Sequence, residues 1–240
     1  MPSVKSTDAA RVSTNGTGRP SPTGSWHWGV WVRLNAYSAQ FMQVLSWHNA
    51  STVFYGIDSG EVVNNTTLDV YCTGATAQSV ATGSYTGWVF VSGSHVAGTS
   101  NYKISFRNEG AATLSTFTLV GSGEHAFDVF YLFNTTFGDP CDTNLRSFWF
   151  KDSVLSDADL LTASSSLSAP SGTNVTFLPL DDHTTAGTNA GTGANWTVTG
   201  TLTTTTGAGS EPAPSLPGKA DAPIISMASQ RIARNTLLRM

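Results

Sequence analysis

The sequence predicts an all-β chain: a two-sheet antiparallel jelly-roll sandwich with one short helix and flexible terminal arms. Three observations predict it. Runs that alternate apolar and polar residues recur through the central part of the chain, the period-2 signature of strands. Clusters of Gly, Ser, Asn and Asp separate those runs and supply turn geometry. One stretch, Phe127 to Leu161, passes from an aromatic strand (FDVFYLF) through Gly-Asp-Pro to a second (LRSFWF) and then to a helix start, KDSVLSDADLL.

Residues 1–24 are polar, and Gly16, Gly18, Pro20 and Pro22 break regular structure, so this segment is expected to be an N-terminal arm. The pattern changes at Trp26. Trp26, Trp28, Val30, Val32 and Leu34 alternate with His27, Gly29, Trp31 and Arg33. Further strands are expected at 41–48, 52–57, 67–72, 87–92, 101–107, 114–120, 126–134, 145–150, 174–180 and 195–203. The 126–134 run is apolar on both faces, which places it centrally or against another chain. In the last run Trp196, Val198 and Leu202 point one way and the threonines at 197, 199, 201 and 203 the other.

One helix is expected in the body, beginning at Ser156. The Ser156 hydroxyl accepts from the Asp159 amide in N-cap geometry, and Asp157 and Asp159 suit the positive helix end. The sandwich then covers residues 25–205. Residues 206–218, with Pro212, Pro214 and Pro217, read as a linker. Residues 219–240 are of another kind. Lys219, Arg231, Arg234 and Arg239 face one acid, Asp221, among the apolar Ile224, Ile225, Met227, Ile232, Leu237 and Leu238. Residues 226–239 suit an amphipathic helix too short to be stable alone. The tail is therefore expected to bind a partner through those apolar residues with Arg231 and Arg234.

Composition narrows the function classes. At 240 residues, 40% hydrophobic and 10% aromatic, the chain can bury a real core. Charged residues make up only 12%, about half the usual share. Thr, Ser, Gly and Asn fill the surface instead, as suits a protein outside a cell or within a large assembly. Net charge is −4, and no Lys/Arg cluster stands in the body, so no nucleic-acid partner is expected. No apolar run reaches membrane-spanning length, and nothing at the N-terminus reads as a secretory signal. Cys72 and Cys141 are widely separated and read as free thiols before they read as a bridge. The sequons at Asn15, Asn49, Asn64, Asn65, Asn134, Asn174 and Asn195 are accounted for by Asn/Thr-rich composition.

Catalytic signals are weak, and no catalytic residue is expected. Glycoside hydrolysis needs two carboxyls across the scissile bond. Most acids here fall in turns, and the strand acids Asp69 and Asp128 are isolated. His27, His48, His95, His125 and His183 are scattered without zinc-ligand spacing. No G-x-S-x-G elbow occurs. Sugar binding calls for exposed aromatics, and strand parity or loop position nominates Trp31, Trp47, Tyr55 and Tyr85. Oxygen ligands for a metal gather at Asp139, Asp142 and Asn144, with Asp181, Asp182 and Asn189 as a second loop. The same residue types also form turns through their own backbone.

Four segments carry a family resemblance: the opening WGVWVRL strand (Trp28–Leu34), the Trp88-Val-Phe-Val and Tyr102–Gly110 strands, the FWF strand with its VLSDADL turn and helix, and the closing FLPL…GANWTVTG segment. Over roughly residues 26–205 the chain resembles a concanavalin A-like lectin/glucanase domain of the laminin-G-like group. Two departures stand out. DTNLR (142–146) occupies a place where many relatives have a glycine, which predicts a rearranged loop, and the E-x-D-x-x-E acids of the glycosidase branch are missing. The resemblance implies calcium as the one cofactor to consider and otherwise none. Such domains with flexible ends are found in bacteriophage structural proteins. That implies a non-enzymatic virion protein, a capsid decoration or tail component made in the host cytoplasm. Its partners would be other virion proteins such as the major capsid protein and further copies of itself, with neither nucleic acid nor membrane. The alternative is a carbohydrate-binding adhesion module; a glycoside hydrolase ranks last.

Overall fold

The computed structural model describes residues 2–6, 10–15, 24–36, 43–49, 52–59, 67–72, 78–81, 87–121, 129–133, 142–206 and 212. Its strands are β1 (Ser3–Ser6), β2 (Arg11–Asn15), β3 (Trp26–Ala36), β4 (Gln43–Asn49), β5 (Thr52–Ser59), β6 (Thr67–Cys72), β7 (Gln78–Ala81) and β8 (Val89–His95). After these come β9 (Asn101–Asn108), β10 (Ser115–Val120), β11 (Val129–Leu132) and β12 (Asp142–Lys151). The helix α1 (Asp157–Ala163) precedes β13 (Thr176–Leu178), β14 (Thr197–Thr199) and β15 (Thr203–Thr205). All ladders are antiparallel. One sheet, A, runs β10-β9-β8-β3-β12-β1-β15, with β13 beside the far half of β12. The other, B, runs β14-β2-β11-β4-β5-β6-β7.

Alternation sends one face of each sheet inward. From sheet A come Trp26, Trp28, Val30, Val32, Ile104 and Phe150; from sheet B come Val12, Leu45, Trp47, Phe130 and Leu132, all buried. Trp26 meets Trp47 edge-on at 4.2 Å, and Phe130 packs on Trp196 at 5.5 Å. Each fully buried large apolar side chain contributes about 1.5–3 kcal/mol, and a well-placed aromatic pair about 1 kcal/mol more. Sheet A is apolar on its outer face too. There Trp31, Trp88, Phe90 and Trp149 form a second core with Leu160 and Ala163 of α1. A Cβ on Gly29 would lie 2.5 Å from the Trp149 ring and 2.7 Å from Phe90, so glycine alone admits that ring to the strand.

Part of the expected N-terminal arm is paired into the sheets. Residues 3–6 and 11–15 are strands, β1 between β12 and β15 and β2 between β11 and β14. Tertiary pairing overrides the weak local pattern. Val4, Ala10 and Val12 are buried apolar anchors, and the polar positions have partners: Ser3 Oγ accepts from Asn144 Nδ2 at 2.8 Å, and Ser6 Oγ donates to Ala10 O at 3.2 Å. The single strand expected at 195–203 is two strands in different sheets. Gly200, at φ +80°, makes the crossing, and a Cβ there would come within 2.8 Å of Ala10 Cα. Both chain ends thus cross between sheets side by side. DTNLR is no loop but the first half of β12, paired with β3 and β1. The register shifts once inside it, between Asp142 and Thr143, and again between Arg146 and Trp149, where Ser147 sits at φ +58°. Ser147 is held there by N–H donation to Pro179 O and Oγ donation to Leu167 O.

Candidate functional site

The outer face of sheet A gathers most of the polar chemistry among the described residues. Its covering segment, 152–182, carries α1 and is fastened from below by side chains of the sheet. Ser156 caps α1 as its spacing predicts, accepting from Asp159 N–H at 3.2 Å. Lys103 on β9 pairs with Asp157 at the helix start. Arg107, also on β9, donates to Ala111 O at 2.6 Å and, at the helix end, to Ser164 O at 2.7 Å. On β12, Lys151 donates to Ser171 O and Thr173 O at 2.9 and 2.8 Å. Arg146 donates to Pro179 O and lies 3.6 Å from the Asp181 carboxylate. Burial lowers the Arg107 and Lys151 values from their usual range. Each cation is nevertheless satisfied by carbonyls, and charged hydrogen bonds of this kind contribute about 1.5–3 kcal/mol.

His27 sits beneath the same segment. Its Nδ1 accepts from the Leu155 N–H at 2.9 Å, which places the proton on Nε2, 2.8 Å from Ser92 Oγ. Burial, with the nearby Lys103 charge second, pushes its pKa down to about 3. The imidazole is therefore neutral at ordinary pH and acts as a strut for the covering segment.

Two clefts flank α1. The larger, about 300 Å³, is lined by Thr113, Leu114 and Thr116 on the β10 side and by Asp157, Ala158 and Leu161 of the helix. The smaller, about 180 Å³, holds Asp159, Thr162, Ser166, Ser168 and Ser171 around Leu155, Ala163, Ala169 and Pro170. Hydroxyls, one carboxylate and a small apolar floor are the groups that bind a polyol ring: the oxygens exchange hydrogen bonds and the floor meets the C–H face. Each cleft holds one carboxylate, whereas hydrolysis of a glycosidic bond uses two.

The residues nominated from sequence fare differently. Trp31 and Trp47 are 0% and 1% exposed, so neither can stack on a sugar. Trp31 belongs to the core under α1, and Trp47 to the core between the sheets. Strand parity gave Trp31 its outward direction correctly, but the helix covers that face. Tyr55 stands opposite Trp47 in the β4–β5 ladder; its side chain, like all of Tyr85, lies outside the described residues. Of the oxygen-ligand set, Asn144 is buried, donating to Ser3 and accepting from Asn35 Nδ2, so it is a joint between strands and no loop ligand. Asp139 and the Asp142 side chain lie outside the described residues. In the second loop Asp182 caps a 3₁₀ turn by accepting from Thr184 N–H at 2.9 Å, which holds its pKa below the usual range. Asn189 Oδ1 accepts from the Phe177 and Gly191 amides, both at 2.8 Å. Asp182 serves its own turn, whereas Asn189 also ties its loop to β13. Among the described residues no three His, Cys, Asp or Glu side chains come together as a metal set. The tail residues Ile224, Ile225, Met227, Arg231, Ile232, Arg234, Leu237 and Leu238 also lie outside the described residues. The hydroxyl run of the smaller cleft escaped the sequence reading, although Ser/Thr density directly after the one helix was its signal.

No family model matches the chain. No curated protein matches it either. Among solved structures it is similar to a protein of Bacteroides ovatus provisionally assigned as carbohydrate-binding. The TM-score is 0.56 at 11% identity, over 85% of this chain and 60% of that one. It is also similar to the Trypanosoma rangeli sialidase, with TM-score 0.44 at 12% identity over 61% of this chain and 26% of that chain. The chain therefore spans less than two thirds of the length of either protein, and at 11% identity the likeness to the Bacteroides ovatus protein is one of fold.

Proposed function

We propose that this sandwich is a non-catalytic recognition module that binds a sugar in the smaller cleft beside α1. The observation that carries the reading is the lining of that cleft: Asp159, Thr162, Ser166, Ser168 and Ser171 surround the floor of Leu155, Ala169 and Pro170. The covering segment is held rigid by Arg107, Lys151 and His27, so the hydroxyls are pre-positioned and little ordering entropy opposes binding. The assignment of the Bacteroides ovatus protein to carbohydrate binding supports the same class. One carboxylate per cleft favours binding without cleavage. A glycan array probed with the full chain tests this: the expected result is a defined set of oligosaccharides whose signal falls at least about tenfold in Ser168→Arg, which fills the cleft. An empty array, or binding indifferent to that change, contradicts it.

A second reading, a virion structural subunit assembled through its tail, draws on one observation. The β1–β15 pairing sets Ser3 beside Thr205 at the end of sheet A away from β10, so the segment after Thr205 starts from the side of the sandwich. Light scattering on the full chain and on a chain ending at Ser210 separates the readings. An oligomer lost on truncation supports tail-mediated assembly, and a monomer in both cases removes it.

A further inference from the structure

A sheet edge presents unpaired N–H and C=O groups, and folded proteins blunt such edges with short strands, charges, prolines or bulges. The outermost strands β14 and β15 have three residues each and β7 has four, whereas β10 has six. Its sequence, STFTLV, contains no charge, proline or glycine. The Gly121 N–H donates to Ser100 O, which sets the phase of the β9–β10 ladder. In that phase Thr116, Thr118 and Val120 turn their N–H and C=O groups away from β9. Among the described residues β10 pairs with β9 alone. Beside the open edge lies the larger cleft, walled by Leu114 and Thr116 below and by Ala158 and Leu161 of α1 above. An open strand edge with an apolar groove alongside holds an extended peptide, the backbone by the edge and every second side chain by the groove.

We propose that β10 and this groove dock the chain's own segment 224–230 as an added strand. That segment, IISMASQ, is uncharged, free of proline and glycine, and bounded by Pro223 and Arg231. Its seven residues match the six of β10. The reach is sufficient. β15 and β10 are the two ends of the sheet A path, six interstrand steps apart, or about 29 Å. The 18 residues from 206 to 223 extend to about 59 Å, enough for the β10 edge of the same chain or of a neighbouring copy. Arg231 and Arg234 follow the segment in sequence, and the α1 wall of the groove begins with the acidic Asp157 and Asp159. Docking would close the one long uncharged edge among the described strands.

Hydrogen exchange on the full chain tests this, comparing the natural sequence with Ser226→Pro, which removes a ladder N–H and breaks an added strand. The expected result is that Thr116, Thr118 and Val120 amides exchange at least about tenfold faster in the variant, while β3 and β12 are unchanged. Equal exchange of β10 in the two proteins overturns the proposal. So does protection that survives Ser226→Pro but fades on dilution, which would identify a second copy's β10 as the occupant.

Discussion

At the scale of single residues, His27 ties pH to the covering segment. Its folded pKa of about 3 lies below the unfolded value of 6.5. The unfolded chain therefore binds the proton first, and stability is full above about pH 6.5 and declines as pH falls toward 3. Protonation places a hydrogen on Nδ1 against the Leu155 N–H and ends that contact. Urea unfolding at pH 7 and pH 5 should show a lower midpoint at pH 5, and His27→Gln, which can both accept from Leu155 and donate to Ser92, should flatten the difference. An unchanged slope in that variant would mean carboxylates alone govern the acid limb. Nothing in the alternating WHWGVWV run distinguishes His27 as a strut, because its partners lie 65 and 128 residues away. Residue-scale features that depend on neighbours in sequence were legible: Ser156 as the cap, and Asp182 as a turn-former.

At the scale of elements, most body strands and α1 were readable because apolar residues recur at their period, although β3, β8 and β12 are buried on both faces. The terminal strands were not. β1 and β2 carry one large apolar anchor each, Val4 and Val12, and gain their structure from partners on both sides. They in turn are the ladder partners of β15 and β14. Burial of two valines at about 1.5–3 kcal/mol each corresponds to about 10–20 °C of thermal midpoint in a chain of this size. A chain beginning at Gly24 should lose at least that much or fail to fold; a midpoint within a few degrees of the full chain would restore the arm interpretation. Turn chemistry at Gly200 was visible as a glycine but not as a crossing, since its reason is the close approach of Ala10.

At the scale of the whole molecule, α1 and its flanks convert the outer face of sheet A from a wet surface into a second core with two clefts. That explains why the exposed-aromatic criterion failed. Trp31 points outward from its strand, yet the helix, and no sugar, is what it meets. In the proposed reading, recognition falls to the hydroxyl-rich segment after the helix. The most direct measurement is amide chemical-shift mapping of the full chain, titrated with the oligosaccharide that binds most strongly on the array. Saturable shifts are expected in residues 155–171, concentrated around the Asp159, Thr162 and Ser168 positions. Shifts centred on the outer face of sheet B around Ser13 and Tyr131, or no shifts at all, would contradict that reading.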